Sequence, residues 1–234
     1  MEDQKRGFFD GNPKMVFVFG LVAGVAVTVL VGGNFSLPTL GNDDGDDEVV
    51  REFENEGADD QPMLAAVTAD ENILGDIENA KVVMVVYSDF ECPYCAAHHP
   101  NVEQIVEDFG DDVAVVFRHF PLNFHANARP AALASECAAE QGKFWEFADM
   151  IFANQSKMGD EYYSQVATAL GLNSGDFTSC VDELKYASDI EADIASAMMA
   201  GVTGTPATFV NGMLVSGAVP YETLAELVAS ELVE

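Results

Sequence analysis

Two kinds of uncharged apolar run mark the chain, and their lengths set them apart. Residues 15–33 carry no charged side chain, and a helix of about 19 residues is long enough to span the hydrocarbon core of a bilayer. Residues 82–87, Val-Val-Met-Val-Val-Tyr, make a run of strand length. A short continuous run of this kind fits a strand buried on both faces. Residues 113–117 form a second β-branched run, and the segment from Cys92 to about Phe109 reads as a helix between the two. Strand, helix and strand at this spacing predict a βαβ unit.

Further on, residues 126–200 are rich in Ala and repeat apolar side chains at helical spacing, as in Phe144, Phe147, Ile151 and Phe152. Gly142, Gly159, Gly171 and Gly175 divide this stretch into several helices. Residues 207–210 and 213–215 then bracket Asn211-Gly212, and Asn-Gly between β-branched runs signals a hairpin. Residues 221–233 close the chain as an amphipathic helix with Leu224, Leu227 and Val228 on one face. The order predicts an α/β fold with a helical insertion at about 126–200, between the βαβ unit and the hairpin.

The N-terminal third reads differently. Lys5, Arg6 and Lys14 precede the first apolar run, and the next basic residue is Arg51. Basic residues collect on the cytoplasmic side of a span, so residues 1–14 are expected in the cytoplasm and the rest of the chain outside it. A cleaved signal peptide is the alternative. The run exceeds a typical signal core and no clear Ala-x-Ala site follows it, so an uncleaved single-pass anchor is expected. Residues 34–61 hold Asp43, Asp44, Asp46, Asp47 and Glu48 in one cluster and read as a disordered, self-repelling spacer. The folded domain is expected over residues 62–234.

Charge narrows the function. Acidic residues outnumber basic ones 40 to 10, for a formal net charge of -30. Such a surface repels phosphate backbones, and a basic patch cannot be assembled, so nucleic acid is excluded as a partner. The acidity fits a solvated face plus an acidic spacer, and equally an adaptation to high salt.

The chemistry centres on Cys92-Pro93-Tyr94-Cys95, directly after the first buried strand. Cysteines three apart at a helix start share a face and lie within reach of a disulfide. Cys92 falls at the N-cap and Pro93 at the first helical position, where Pro is favoured. A helix N-terminus stabilises an anion and so lowers the Cys92 pKa. A stable thiolate is a good leaving group, which makes the oxidised pair a good disulfide donor, with Cys95 the deeper, resolving thiol. Competing readings of the motif fit less well. A zinc site needs about four ligands. On a regular helix His98 faces about 240° away from Cys92, and His99 lies about 10 Å further along the axis. A c-type haem would need His where Ala96 stands. Neither a metal nor another cofactor is expected. Gly201-Val202-Thr203-Gly204-Thr205-Pro206 precedes the hairpin, a place where a cis proline is often found.

Taken in order, four segments resemble the DsbA-like branch of the thioredoxin superfamily: residues 88–95, residues 118–122 (Arg-His-Phe-Pro-Leu), residues 141–145 (Gln-Gly-Lys-Phe-Trp) and residues 202–206. The resemblance implies a thioredoxin-like fold with the helical insertion covering the site, a kink at Pro100, and a cis Thr205–Pro206 bond facing the cysteines. There Thr205 would pair with a substrate strand by β-augmentation, with Tyr94 tuning the site and touching substrate. It also implies exported proteins with reduced cysteines as substrates and a DsbB-like membrane partner that reoxidises the pair. Isomerase or reductase work suits the same motifs, and a non-catalytic protein- or metal-binding module is the reading from another class. One departure stands out. Relatives carry a buried acid six residues before the first cysteine, and here that residue is Val86. Asp89 and Glu91 are the nearby acids that would move protons in its stead, unless they are ordinary solvated carboxylates. Cys137 and Cys180 read as a structural disulfide in an extracytoplasmic chain, the alternative being two free buried thiols. Trp145, Phe144 and Phe147 are expected in the core, and His119 and His125 in structural or surface roles.

Overall fold

A computed structural model describes residues 49–52 and 63–233. The expected N-terminal segment 1–14, the anchor at 15–33 and most of the spacer at 34–61 lie outside the described residues. Among the described residues no helix is long and apolar enough to cross a membrane. At the far end of the expected spacer, Val49–Arg51 forms β1, antiparallel to β2 at Val67–Thr68. That part of the stretch is therefore a strand. Val50 packs against the apolar layer that holds Val83, Val85 and Tyr87, and Arg51 Nη2 donates to Ala80 O, two contacts that composition does not reveal.

The central strand follows from its sequence. All seven residues of β4, Val82–Ser88, are buried. It runs parallel to β5 at Val113–His119, the two joined through α1 at Pro93–Phe109. β3, Asn72–Leu74, lies antiparallel to β5 on its outer side. On the other side of β4 come the antiparallel β6, Ala207–Val210, and β7, Met213–Ser216, giving the order β3-β5-β4-β6-β7. The hairpin turns at Asn211 and Gly212 with φ of 44° and 89°. Two positive φ values in a row are what Asn-Gly permits and β-branched residues resist. Asn211 Oδ1 also accepts from Val83 N at 2.9 Å, which extends the β4–β6 pairing into the turn.

Alternation along β4 sends its side chains to two layers. Val82, Met84 and Val86 meet Val102 and Ile105 of α1 together with Leu224 and Val228 of the last helix, α7 at Tyr221–Glu231. Val83, Val85 and Tyr87 face the opposite layer, where Ala197 packs. Each such fully buried aliphatic side chain contributes about 1.5–3 kcal/mol. Gly75, between β3 and β4, has φ 96°, and a Cβ there would stand 2.6 Å from Val113 O, so only glycine fits.

The insertion comprises α2 (Ala128–Ala139), α3 (Phe144–Phe152), α4 (Asp160–Ala169), α5 (Ser174–Asp182) and α6 (Ala187–Met199). Gly175, expected as a break, is the second residue of α5. The start is set one residue earlier than the helix by Asn173, whose Oδ1 accepts from Gly175 N and Asp176 N. Phe144, Phe147, Ile151 and Phe152 form a core cluster with Phe90, Phe117, Cys92 and Cys95, so the insertion packs directly on the motif. Trp145 Nε1 donates to Ile73 O at 3.1 Å and ties α3 to the edge strand β3. Cys137 of α2 and Cys180 of α5 are joined by a disulfide with Cα atoms 5.8 Å apart.

One buried ion pair braces the layer behind β5. Arg118 is 3% exposed. Its Nε and Nη2 donate to the two oxygens of Glu71 at 2.7 and 2.9 Å, and Nη1 and Nη2 donate to Ala65 O and Ala66 O. Nη1 also donates to the Tyr87 hydroxyl. Burial works against the Arg118 charge, and the paired carboxylate more than offsets it, so the guanidinium stays protonated.

Candidate functional site

β4 ends at Ser88, and four residues carry the chain over to the start of α1. This short loop is fixed from three sides. Asp89 is buried, and its carboxylate accepts from Glu91 N at 2.7 Å, Leu122 N at 2.8 Å and His125 Nδ1 at 2.8 Å. The Glu91 carboxylate accepts from the amide and the side chain of Asn127. Gln155 Nε2 donates to both Phe90 O and Cys92 O, at 2.8 and 2.9 Å. Of the two readings of these acids, proton transfer and ordinary solvated carboxylates, the second does not hold: Asp89 is buried, and both carboxylates accept hydrogen bonds that hold loops together. Apart from the Glu91 amide, their partners lie more than thirty residues away in sequence, which is why the local pattern gave no sign of them. Gln155 was missed for the same reason.

Cys92 is the N-cap of α1, with φ -74° and ψ 121°, and Pro93 follows as the first helical residue. Tyr94 is exposed, whereas Cys95 is 1% exposed and lies one turn in. Both cysteines are free thiols. The helix continues through Pro100, which has no N–H for the turn before it. Across the site the Thr205–Pro206 bond is cis. Cys92 Sγ lies 3.6 Å from Thr205 O, and Thr205 Oγ1 is buried without a hydrogen-bond partner among the described residues.

The two thiols are driven apart electrostatically. Cys92 is lowered to about 5, first by a hydrogen bond from the Cys95 thiol, against burial, and then by the Cys95 amide, the Thr205 hydroxyl and the Tyr94 amide. Cys95 is raised, mainly because burial disfavours its thiolate and then because it gives its proton to Cys92. Asp89 N donates to Cys95 Sγ at 3.4 Å. At neutral pH the pair is a Cys92 thiolate beside a Cys95 thiol, an arrangement suited to attack on a disulfide or to departure from one.

Val86 is buried in β4 beneath the pair, paired in register with Phe117 and Thr208. Both histidines after the motif turn inward. His98 Nε2 lies 2.9 Å from Thr208 Oγ1, and burial lowers His98 to about 4, so it is neutral. His99 Nε2 lies 2.7 Å from Asp149 Oδ1 and 3.7 Å from Glu103 Oε2. These three residues bring donor atoms within 4.8 Å of one another. The short His99–Asp149 contact is a hydrogen bond. The i,i+4 spacing of His99 and Glu103 was visible in the sequence; Asp149 was not. His119 Nε2 meets Glu136 at 2.6 Å, and Trp145, Phe144 and Phe147 sit in or against the core.

Solved structures share this arrangement of the chain. A thioredoxin-like oxidoreductase from Silicibacter pomeroyi DSS-3 superposes with a TM-score of 0.62 at 25% identity, covering 71% of this chain and 94% of that one. BdbD from Bacillus subtilis, in its oxidised form, gives a TM-score of 0.62 at 22% identity over 70% of this chain and 94% of its own. The thiol-disulfide exchange protein alpha-DsbA2 from Wolbachia pipientis gives 0.61 at 22%, over 69% and 87%. The fold is therefore α/β and thioredoxin-like. Among curated proteins, the Na(+)/H(+) antiporter NhaA 3 of Salinispora tropica is 36% identical over 169 residues, 72% of this chain and 26% of its own length. The Na(+)/H(+) antiporter NhaA of Herminiimonas arsenicoxydans is 35% identical over 167 residues, 70% of this chain and 27% of its own. The chain spans about a quarter of the length of these curated relatives. A family model described as Thioredoxin matches residues 68–230. That stretch takes in every strand of the five-stranded sheet and both cysteines of the motif, and by it the chain belongs to the thioredoxin family.

Proposed function

We propose that this protein is a thiol–disulfide oxidoreductase that works through Cys92 and Cys95 and donates their disulfide to exported proteins. The observation that carries the reading is the polarised pair: a Cys92 thiol lowered to about 5 at the mouth of α1, over a buried Cys95 whose thiol is held protonated. Stabilising the Cys92 thiolate favours the reduced pair, and so makes the oxidised pair a stronger acceptor of electrons. A substrate thiolate attacks Cys92 Sγ, the Cys92–Cys95 bond breaks, and Cys95 leaves as a thiolate that takes up a proton. A second substrate thiolate then attacks the mixed disulfide and releases Cys92 as its thiolate. The substrate loses two electrons and the protein gains them. Thr205 O beside Cys92 is the edge on which a substrate strand would pair, and exposed Tyr94 flanks it.

The setting belongs to the same proposal. The uncharged run at residues 15–33 would anchor the chain in the cell membrane, with the domain outside the cytoplasm. A DsbB-like membrane protein would reoxidise the pair, and tethering both to one membrane would raise their effective concentration. Na(+)/H(+) exchange is said of the longer relatives, and nothing in the cysteine site calls for it.

The deciding experiment equilibrates the full chain with glutathione and reads the Cys92–Cys95 reduction potential. A potential well above the thioredoxin value, about -270 mV, supports disulfide donation. A thioredoxin-like value would leave the exchange chemistry intact but reverse its direction, to a membrane-tethered reductase or isomerase.

A further inference from the structure

Cys95 must lose or regain a proton in every exchange cycle, and it does so where bulk water does not reach. Beneath it lies a void of about 10 Å³ whose walls include Val86, Ser88, Cys95, His98, His99 and Trp145. That is the least space that holds one water, which also needs polar neighbours. Ser88, the Cys95 sulfur and the two imidazoles provide them. The strands contribute only Val86, Ser88, Val115 and Phe117 to these walls. Apart from Cys95, the titratable side chains there are the two histidines.

The histidines differ in what lies behind them. His98 is 1% exposed, its Nε2 is held by Thr208, and its Nδ1 has no partner among the described residues. It can hold a water but leads nowhere. His99 stands four residues after Cys95, one turn along the same face of α1. Its Nε2 is hydrogen-bonded to Asp149 of α3, with Glu103 of α1 at 3.7 Å, and both carboxylates reach solvent. That hydrogen bond engages Nε2, and among the described residues no hydrogen bond reaches Nδ1.

We propose that His99, oriented by Asp149, is the residue through which Cys95 exchanges its proton with solvent, across a single water held in the void. The inference rests on the exchange function proposed above but not on its direction. When Cys95 resolves a mixed disulfide, its S–H proton passes through the water to His99 Nδ1. The freed sulfur pair attacks Cys92 Sγ, a Cys92–Cys95 bond forms, and the substrate sulfur departs as a thiolate with the electrons of the broken bond. His99 sheds its other proton from Nε2 toward Asp149, Glu103 and water. When the protein donates its disulfide, the Cys95 thiolate recovers a proton by the same route. Asp149 acts through His99 and is a positioning residue.

The test mixes the reduced full chain rapidly with an aromatic disulfide whose released thiol absorbs light, and separates two steps: attack by Cys92, then resolution by Cys95. For His99→Gln, resolution is expected to slow by at least about tenfold, within the range general acid–base groups supply, while attack by Cys92 stays within about twofold of wild type. Asp149→Asn keeps the hydrogen-bond acceptor and removes the charge, and is expected to slow resolution less, with attack again unchanged. Should His99→Gln fail to fold, Asp149→Asn decides by the same split. An unchanged resolution step overturns the proposal, and so does an equal slowing of both steps, which would mark a structural role. A wild-type chain that never forms the mixed disulfide would sink the exchange function itself, a separate outcome.

Discussion

Cys92 Sγ faces the carbonyl oxygen of Thr205 at 3.6 Å, across 113 residues of chain. The contact joins the start of α1 to the residue before the cis proline, so the most polarised sulfur in the molecule sits against a backbone group able to pair with another strand. The Thr205 hydroxyl, otherwise unpartnered, is free to donate to the thiolate. Thr205→Val removes that donor and keeps the shape. Cys92 should then be about 7- to 80-fold less reactive toward iodoacetamide at pH 5, as the loss of one hydrogen bond of about 1.5–3 kcal/mol to a charged group implies, with little change at pH 8.

The reduced protein should gain stability as pH rises. Cys92 is lowered from an ordinary 9.0 to about 5, so between these values the unfolded chain holds a proton that the folded one has released. The stabilisation is complete above about 9 and is lost as pH falls through about 5. Cys95, being raised, stays protonated in both states across that window and contributes nothing to it. Urea unfolding of the reduced chain at pH 5, 7 and 8.5 should show the midpoint climbing, and Cys92→Ala should flatten the climb. Equal slopes for the two proteins would refute the lowered thiol.

Arg118→Met should destabilise the fold by about 3–5 kcal/mol, because it leaves the Glu71 carboxylate without its partner. Replacing both, as Arg118→Met with Glu71→Leu, should recover much of the loss. Thermal unfolding of the two variants beside wild type distinguishes a buried ion pair, which behaves this way, from a solvent-screened one, which would move by less than about 1 kcal/mol.

Removing the second cysteine pair should cost stability and not reactivity. The Cys137–Cys180 bond spans 43 residues of sequence, and a loop of this size is worth up to about 4 kcal/mol in the chain-entropy model. Cys137→Ala with Cys180→Ala should lower the denaturant midpoint while leaving the rate of Cys92 alkylation at pH 7 unaltered. A large fall in that rate would mean that the insertion positions the site more directly than its packing suggests.

The parts of the fold that sequence made legible are those whose signal is local. β4 and β5 are continuous apolar runs, the hairpin is announced by Asn211-Gly212, and the start of α1 by Cys92 and Pro93. β3 and β1 were not legible. Each is three residues long, and each is held by contacts made elsewhere, the Trp145 indole in one case and Ala80 O in the other. The same division runs through the site. The Cys92–Cys95 spacing declares its chemistry, whereas Asp89, Glu91 and Gln155 take their meaning from partners on other loops. His99 shows both at once, since its spacing from Cys95 is local and its link to Asp149 is not.

Cys137 and Cys180 are buried and bonded to each other across α2 and α5. Four thiols allow three ways of pairing, and only one of them leaves Cys92 and Cys95 free to turn over. Enclosing one pair inside the insertion separates in space the bond that keeps the protein whole from the bond it would hand on.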